Sequence, residues 1–234
     1  MMRPKDRLIV ALDVPSLAEA TSLIETLGES VGVYKIGLEL LFGGGFALAE
    51  ELAQKGRAVF VDAKLSDIEA TVERATAAIA RMGAAFLTVH ALDHKTMTAA
   101  VRGRGDSALK LLGVTVLTNL APADLIEQGI DHPLAELGLH RAALAKKAGL
   151  DGVIASGHEA AQIRGTTGPD FLIVTPGVRP QGSEVHDQAR AVTPRAAIAA
   201  GADYLVVGRP ITRASDPREA ADSIVGEIAA ALSR

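Results

Sequence analysis

Val59-Phe-Val-Asp-Ala-Lys-Leu-Ser-Asp-Ile68 is the stretch that decides how this chain reads, because Asp62, Lys64 and Asp67 close an otherwise apolar run. Alternate residues of a strand share a face, so Phe60, Asp62 and Lys64 point one way while Val59, Val61, Ala63 and Leu65 point the other. One face is apolar and the other turns ionic, with Asp62 and Lys64 roughly 7 Å apart along the strand. Asp67 lies past its end, where Ile68, Val72, Ala75, Ile79 and Met82 recur at helical spacing and predict a helix over 68–82. A strand-end ion pair plus an N-cap at Asp67 explains each charge singly. It explains the three together less well than a charged row aimed at a mouth.

Outward from this stretch, β-rich runs alternate with Ala-rich helical ones. Eight runs are countable, at 8–14, 32–38, 58–65, 86–91, 111–118, 152–156, 171–175 and 204–208. Ser16-Leu-Ala-Glu19 is a capping box and Gly28 a stop, which places a helix between the first two runs. Comparable patterns occupy 46–55, 68–82 and 139–147, and Asp216-Pro217 opens a last helix that runs to Leu232. Alternating strands and helices imply a parallel sheet, and eight units in 234 residues favour one closed (β/α)8 barrel domain over residues 1–234. An open doubly wound sheet would show a glycine-rich dinucleotide loop after the first strand, and Asp13-Val-Pro-Ser16 is not one. Gly43-Gly-Gly45 follows Leu41-Phe42 and reads as a flexible loop.

Composition narrows the function classes. A 48% hydrophobic chain supplies a sizeable core, and the absence of cysteine removes disulfides, thiolate nucleophiles and cysteine metal sites. Residues 8–12 form an apolar run too short for a membrane span or a signal peptide, so the expected location is cytoplasmic. A net charge of −4 and 3% aromatics argue against a nucleic-acid or anionic-membrane partner. The six histidines are read as showing neither H-x-x-x-H nor H-E-x-x-H spacing, and no metal is expected.

In such barrels the site lies at the C-terminal ends of the strands. Those ends carry Asp13, Lys35, Asp62 with Lys64, His90, Thr118, Ser156, Arg179 and Gly208-Arg209. His90 and Ser156 read best as structural groups, Thr118 as a contact or a local backbone partner. Arg209, just after Gly208 on the last strand, is placed to hold phosphate: glycine allows close approach to the backbone and the guanidinium fork matches phosphate oxygens. Residues 176–190, with Gly177 and Gly182 as pivots and Arg179 and Gln188 as polar contacts, read as a lid.

The assembled motifs resemble the orotidine 5′-monophosphate decarboxylase family of bacterial type. They are Ala11-Leu-Asp-Val14, Tyr34-Lys-Ile-Gly37, Asp62-Ala-Lys-Leu-Ser-Asp-Ile68 with Thr71, Val116-Leu-Thr118, Val174-Thr-Pro-Gly-Val-Arg-Pro-Gln-Gly-Ser183 with Asp187-Gln188, and Val207-Gly-Arg-Pro-Ile211. The D-x-K-x-x-D element alone is shared with sugar-phosphate enzymes on the same barrel. In combination with the other motifs it is specific. The resemblance implies a cofactor-free, metal-free homodimer that converts orotidine 5′-monophosphate to uridine 5′-monophosphate and CO₂. It implies that Lys64 protonates C6, that Asp62 and Lys35 complete the charge network, and that Asp67 with Thr71 comes from the other subunit. Asp13 and Lys35 are then ribose contacts, Thr118 a pyrimidine-side contact, and Arg179, Gln188, Gly208 and Arg209 the lid and phosphate contacts. Ser66, Glu69-Ala70 and Leu92-Asp-His-Lys95 depart from the family pattern and bear on loop and interface shape. A Mg²⁺-dependent sugar-phosphate decarboxylase and a non-catalytic phosphometabolite binder are the alternatives; the lid motif and Arg179 speak against the first.

Overall fold

A computed structural model describes residues 2–180 and 192–233. Each apolar run becomes a strand followed by a returning helix. In order these are β1 (Leu8–Ala11), α1 (Leu17–Leu27), β2 (Val33–Gly37), α2 (Phe46–Gln54), β3 (Ala58–Leu65), α3 (Glu69–Met82), β4 (Phe86–His90), α4 (His94–Arg104), β5 (Lys110–Val114), α5 (Leu134–Lys147), β6 (Gly152–Ile154), α6 (Ala160–Thr167), β7 (Leu172–Thr175), α7 (Pro194–Ala199), β8 (Tyr204–Val207) and α8 (Pro217–Leu232). Neighbouring strands pair in parallel in chain order, and β8 returns to β1 with Leu205 opposite Leu8, so the sheet closes. The expected (β/α)8 barrel is what forms, and the open-sheet alternative falls.

The helix signals act where they were read. Ser16 Oγ accepts the Glu19 N–H at 3.2 Å, and Gly28 ends α1 with a positive φ of 53°. Asp216 caps α8 through the Glu219 N–H. Several strands end earlier than their apolar runs: β1 stops at Ala11 and β5 at Val114, because the chain leaves the ladder to carry Asp13 and Thr118 over the mouth.

Two local expectations are corrected. Leu41–Gly45 is helical chain that joins α2 across a kink at Gly44 (φ 97°), and not a flexible loop. Gly45 is required there, since a Cβ would lie 2.5 Å from the Leu40 carbonyl oxygen. Ile68 stands at the N-cap of α3 and is 72% exposed, so the buried stripe of that helix begins with Val72.

The core has two layers. Inside the barrel, Ile9, Val33, Phe60, Phe86, Leu112 and Val174 pack together, and Phe86 touches Phe60 and Tyr204 with ring centroids 5.8 and 5.2 Å apart. Three of the seven aromatic residues, five Phe and two Tyr, thus plug the lower barrel. The outward-facing Val59, Val61, Leu87 and Ile173 pack in the layer that includes the helices.

The end of the barrel opposite the site is tied by ions. Asp151, just before β6, accepts the Leu111 N–H at 2.9 Å and pairs with Arg104 and Lys110. Asp203, just before β8, accepts the Ile173 N–H at 2.8 Å and pairs with Arg164, which also donates to the carbonyls of Gly168, Phe171 and Gly201. Among the described residues no helix is long and apolar enough to cross a membrane.

Candidate active site

A cleft of about 470 Å³ opens at the C-terminal ends of the strands. Its floor is the top of the inner apolar layer, Ala11, Phe60 and Val206. Above that floor, on the side of β1 to β3, stand Asp13, Lys35, Asp62 and Lys64; opposite are Val114, Val116, Leu117, Ile154 and Ala155; Arg179, Arg209 and Arg213 occupy a third side. A bound molecule therefore meets charge on one flank, apolar surface on another and arginines at one end.

The charges form a continuous alternating series. Lys35 Nζ lies 3.1 Å from Asp13 Oδ1 and 3.3 Å from Asp62 Oδ2, and Lys64 Nζ lies 2.9 Å from that same Asp62 oxygen. Lys35 and Asp62 are buried, where each charge depends on its partners. Burial alone raises the Asp62 carboxyl, but Lys35 and Lys64 together outweigh it and hold the group below its ordinary value. Burial alone lowers the Lys35 ammonium, but Asp62 and Asp13 outweigh it and the group ends above its ordinary value. His90, at the end of β4, is shifted down by burial and by the nearby cations Lys64 and Arg141, which favours the neutral imidazole. Arg141 itself donates to the Thr115 carbonyl at 2.6 Å.

These directions fix a stability window. Asp62, depressed in the fold, contributes stability fully above its unfolded value of 3.8 and loses it as pH falls through its folded value. Lys35, raised in the fold, contributes fully below 10.5 and loses that contribution as pH rises through its folded value. Asp62→Asn should cost on the order of 3 kcal/mol in urea denaturation at neutral pH, because two lysines lose a buried partner. The gap to wild type should stay flat on acidification until pH passes below 3.8. A gap that already narrows between about pH 7 and pH 5, well above the carboxylate range, would assign the effect to another group.

Lys64 reaches this position by an unusual backbone. It is the only non-glycine with positive φ among the described residues, at 48°. The β3–β4 register slips between Val61, opposite Leu87, and Leu65, opposite Val89. The simple alternation expected along β3 is therefore broken at the lysine, although Lys64 still lines the cleft. Gly37 was not singled out beyond its motif: a Cβ there would lie 2.9 Å from Asp13 Oδ1 and 3.1 Å from Lys35 Nζ, so the absent side chain makes room for that ion pair. Thr212 and Arg213, just past the Gly208-Arg209 pair, also line the cleft. They were legible only as neighbours of that pair.

Of the residues selected from sequence, Asp13, Lys35, Asp62, Lys64, Thr118, Arg179, Gly208 and Arg209 come together around the cleft. Asp67 and Thr71 do not. They are exposed at the start of α3, where Asp67 Oδ1 accepts the Ile68 N–H at 2.6 Å. Gln188 lies outside the described residues, as do Gly182, Ser183 and Asp187. Of the lid segment 176–190, the described part begins with Pro176 and Gly177 in the cleft wall, and Val178 then bridges to Val192. Ser156 is buried off the cleft and accepts the His158 N–H at 3.4 Å, a structural role as expected. His90 and His94 do have a four-residue spacing, which the metal-free reading overlooked. One ends β4 and the other opens α4, and no group of three or more His, Cys, Asp or Glu able to hold a metal occurs among the described residues.

A (β/α)8 barrel with a Lys/Asp series and arginines around a cleft at the C-terminal ends of its strands has the arrangement of a barrel enzyme's active site. Comparison with known proteins specifies it further. The family model described as "Orotidine 5'-phosphate decarboxylase / HUMPS family" matches residues 6–224. The orotidine 5′-phosphate decarboxylase of Bradyrhizobium sp. strain BTAi1 is 55% identical over 229 residues, 98% of this chain and 94% of that protein. The enzyme of the same name from Methylobacterium nodulans is 55% identical over 231 residues, 97% of this chain and 98% of that protein. Among solved structures, the orotidine 5′-phosphate decarboxylase of Lactobacillus acidophilus superposes with a TM-score of 0.83 at 38% identity, covering 94% of this chain and 98% of that one. The chain belongs to the orotidine 5′-phosphate decarboxylase / HUMPS family.

Proposed function

We propose that this protein decarboxylates orotidine 5′-monophosphate to uridine 5′-monophosphate and CO₂, the last step of pyrimidine nucleotide synthesis, without a cofactor or metal. The observation that carries this reading is the unbroken Asp13–Lys35–Asp62–Lys64 series at one flank of a cleft whose far end holds Arg179 and Arg209. Loss of CO₂ leaves the bonding pair on an unsaturated ring carbon that no adjacent carbonyl delocalises as in a β-keto acid. The protein must offer a positive charge to that pair and then a proton. Lys64 supplies both: its ammonium N–H breaks, C6–H forms, and the neutral amine is reprotonated from water. Asp62 fixes the ammonium at 2.9 Å and Lys35 fixes Asp62 from the other side, so little reorganisation is left for the reaction itself. Arg209, with Arg179, holds the phosphate, and the binding energy of that remote contact serves the reacting end.

The functional unit in this reading is a cytoplasmic homodimer in which Asp67 and Thr71 complete the partner's site. Their exposure supports it, as does the apolar surface around them. Ile68 is 72% exposed and Phe42 89%, with Leu38 and Leu92 also exposed, on the segments that follow β2, β3 and β4 at one side of the mouth. Exposed apolar side chains on three neighbouring segments of the mouth support a partner surface there.

Purified protein given orotidine 5′-monophosphate should turn it over, followed by loss of pyrimidine absorbance, at the same rate with and without EDTA. A requirement for Mg²⁺ would favour the sugar-phosphate type of chemistry. No turnover at all would leave a phosphometabolite binder.

A further inference from the structure

One fully buried polar side chain stands at the centre of the charge series without belonging to it. Thr88, on β4 between Phe86 and His90, is 0% exposed, and alternation turns it into the barrel directly above Phe86. Its hydroxyl donates to Asp62 Oδ1 at 2.9 Å and accepts the Lys64 backbone N–H at 2.9 Å. Both bonds lie where the sheet is irregular. Between the Val61–Leu87 and Leu65–Val89 pairs, β3 carries three intervening residues against one on β4. A regular ladder gives a strand N–H a neighbouring carbonyl, and the slip replaces that partner of Lys64 with a side-chain oxygen. An unpartnered buried N–H is costly, and a non-glycine residue with φ of 48° adds strain of its own.

We propose that Thr88 is a positioning residue for the decarboxylation: its hydroxyl holds the Lys64 backbone in the left-handed turn and orients Asp62 so that one carboxylate oxygen faces both lysines. The division of Asp62 supports this. Oδ1 takes the hydroxyl, which leaves Oδ2 as the oxygen that meets Lys64 at 2.9 Å and Lys35 at 3.3 Å. Rotation of the carboxylate would move that shared oxygen off both ammonium groups at once. Thr88 thus sets the ammonium by two routes, through its own main chain and through its counter-ion, without lining the cleft. This rests on the decarboxylase reading for its kinetic consequence, while the hydrogen-bond relay itself stands apart from any substrate.

Thr88→Val keeps the shape and removes both bonds; Thr88→Ser keeps the bonds and removes a methyl group. With orotidine 5′-monophosphate, the valine variant should lose about 10²-fold in kcat with KM changed far less, the scale of a small misplacement of a reacting group. The serine variant should recover most of the loss. The second measurement needs no turnover: with ¹⁵N-lysine labelling, the Lys64 amide should exchange with solvent much faster in the valine variant than in wild type or the serine variant, compared among folded molecules at equal stability. Valine and serine variants equally impaired in kcat, or a Lys64 amide whose exchange is unchanged by valine, would overturn the proposal. If the wild type fails to turn over the substrate, the decarboxylase reading fails, and amide exchange alone still decides whether Thr88 holds Lys64.

Discussion

Lys64→Ala should lose on the order of 10⁴-fold in kcat while its melting temperature and its affinity for uridine 5′-monophosphate stay close to those of wild type. The size follows from two roles lost together: a general acid contributes about 10²–10⁴-fold, and a preorganised charge at the reacting carbon contributes about 10²–10³-fold. The two are not additive, since one ammonium plays both. Lys64 is held by Asp62 and by the Thr88 hydroxyl but is not packed into either core layer, so the fold loses little. Arg209 lines the far side of the cleft, away from Lys64, and as the proposed phosphate contact it should still bind a product-like ligand. A variant that keeps more than about a few per cent of wild-type kcat would remove Lys64 from the role of proton donor, given the size expected of a general acid.

The second large effect is a gain. Lys64→Ala and Asp67→Ala should each be nearly inactive alone, and mixing them under conditions of subunit exchange should restore activity. If each site takes Lys64 from one chain and Asp67 from the other, a mixed dimer has one site lacking both residues and one intact site. Random exchange makes about half of the dimers mixed, and half of their sites competent, so about a quarter of wild-type activity should return. Within one chain Asp67 does not line the cleft; its carboxylate accepts the next residue's N–H and faces outward at the head of α3. If mass-tagged subunits are seen to exchange and no activity returns, Asp67 is a local cap and the shared site is wrong.

Sequence carried the architecture and most of the cleft for a plain physical reason. Period-two apolar runs and capped helices are local signals, and a parallel barrel arranges them in chain order. Asp13, Lys35, Asp62, Lys64, Thr118, Arg179 and Arg209 were found because the fold forces strand ends to converge. What local signals could not carry is the slip between β3 and β4, a property of two strands at once. Positive φ at Lys64 has no local mark, since nothing in Ala63-Lys64-Leu65 favours it. Thr88 was visible only as a polar residue on the inward face of an apolar run, and its importance depends on Lys64 losing a ladder partner. The turn at Leu41–Gly45 misled because three glycines signal a loop locally, whereas here one of them admits the close approach of the Leu40 carbonyl.

The ions at the two ends of the barrel look alike on paper, buried or half-buried aspartates paired with cations, yet they are joined to the sheet differently. Asp151 and Asp203 each accept a main-chain N–H from the preceding strand, so their carboxylates serve as extra rungs of the β ladder, and a change there frays strand pairing. Asp62 takes a side-chain hydroxyl instead and shares its other oxygen with two lysines. Its charges rest on the sheet without being woven into it. Substitution among the charges at the mouth therefore costs their ion pairs while leaving the backbone rungs between strands in place, whereas the same exchange of residues at the other end would remove rungs themselves.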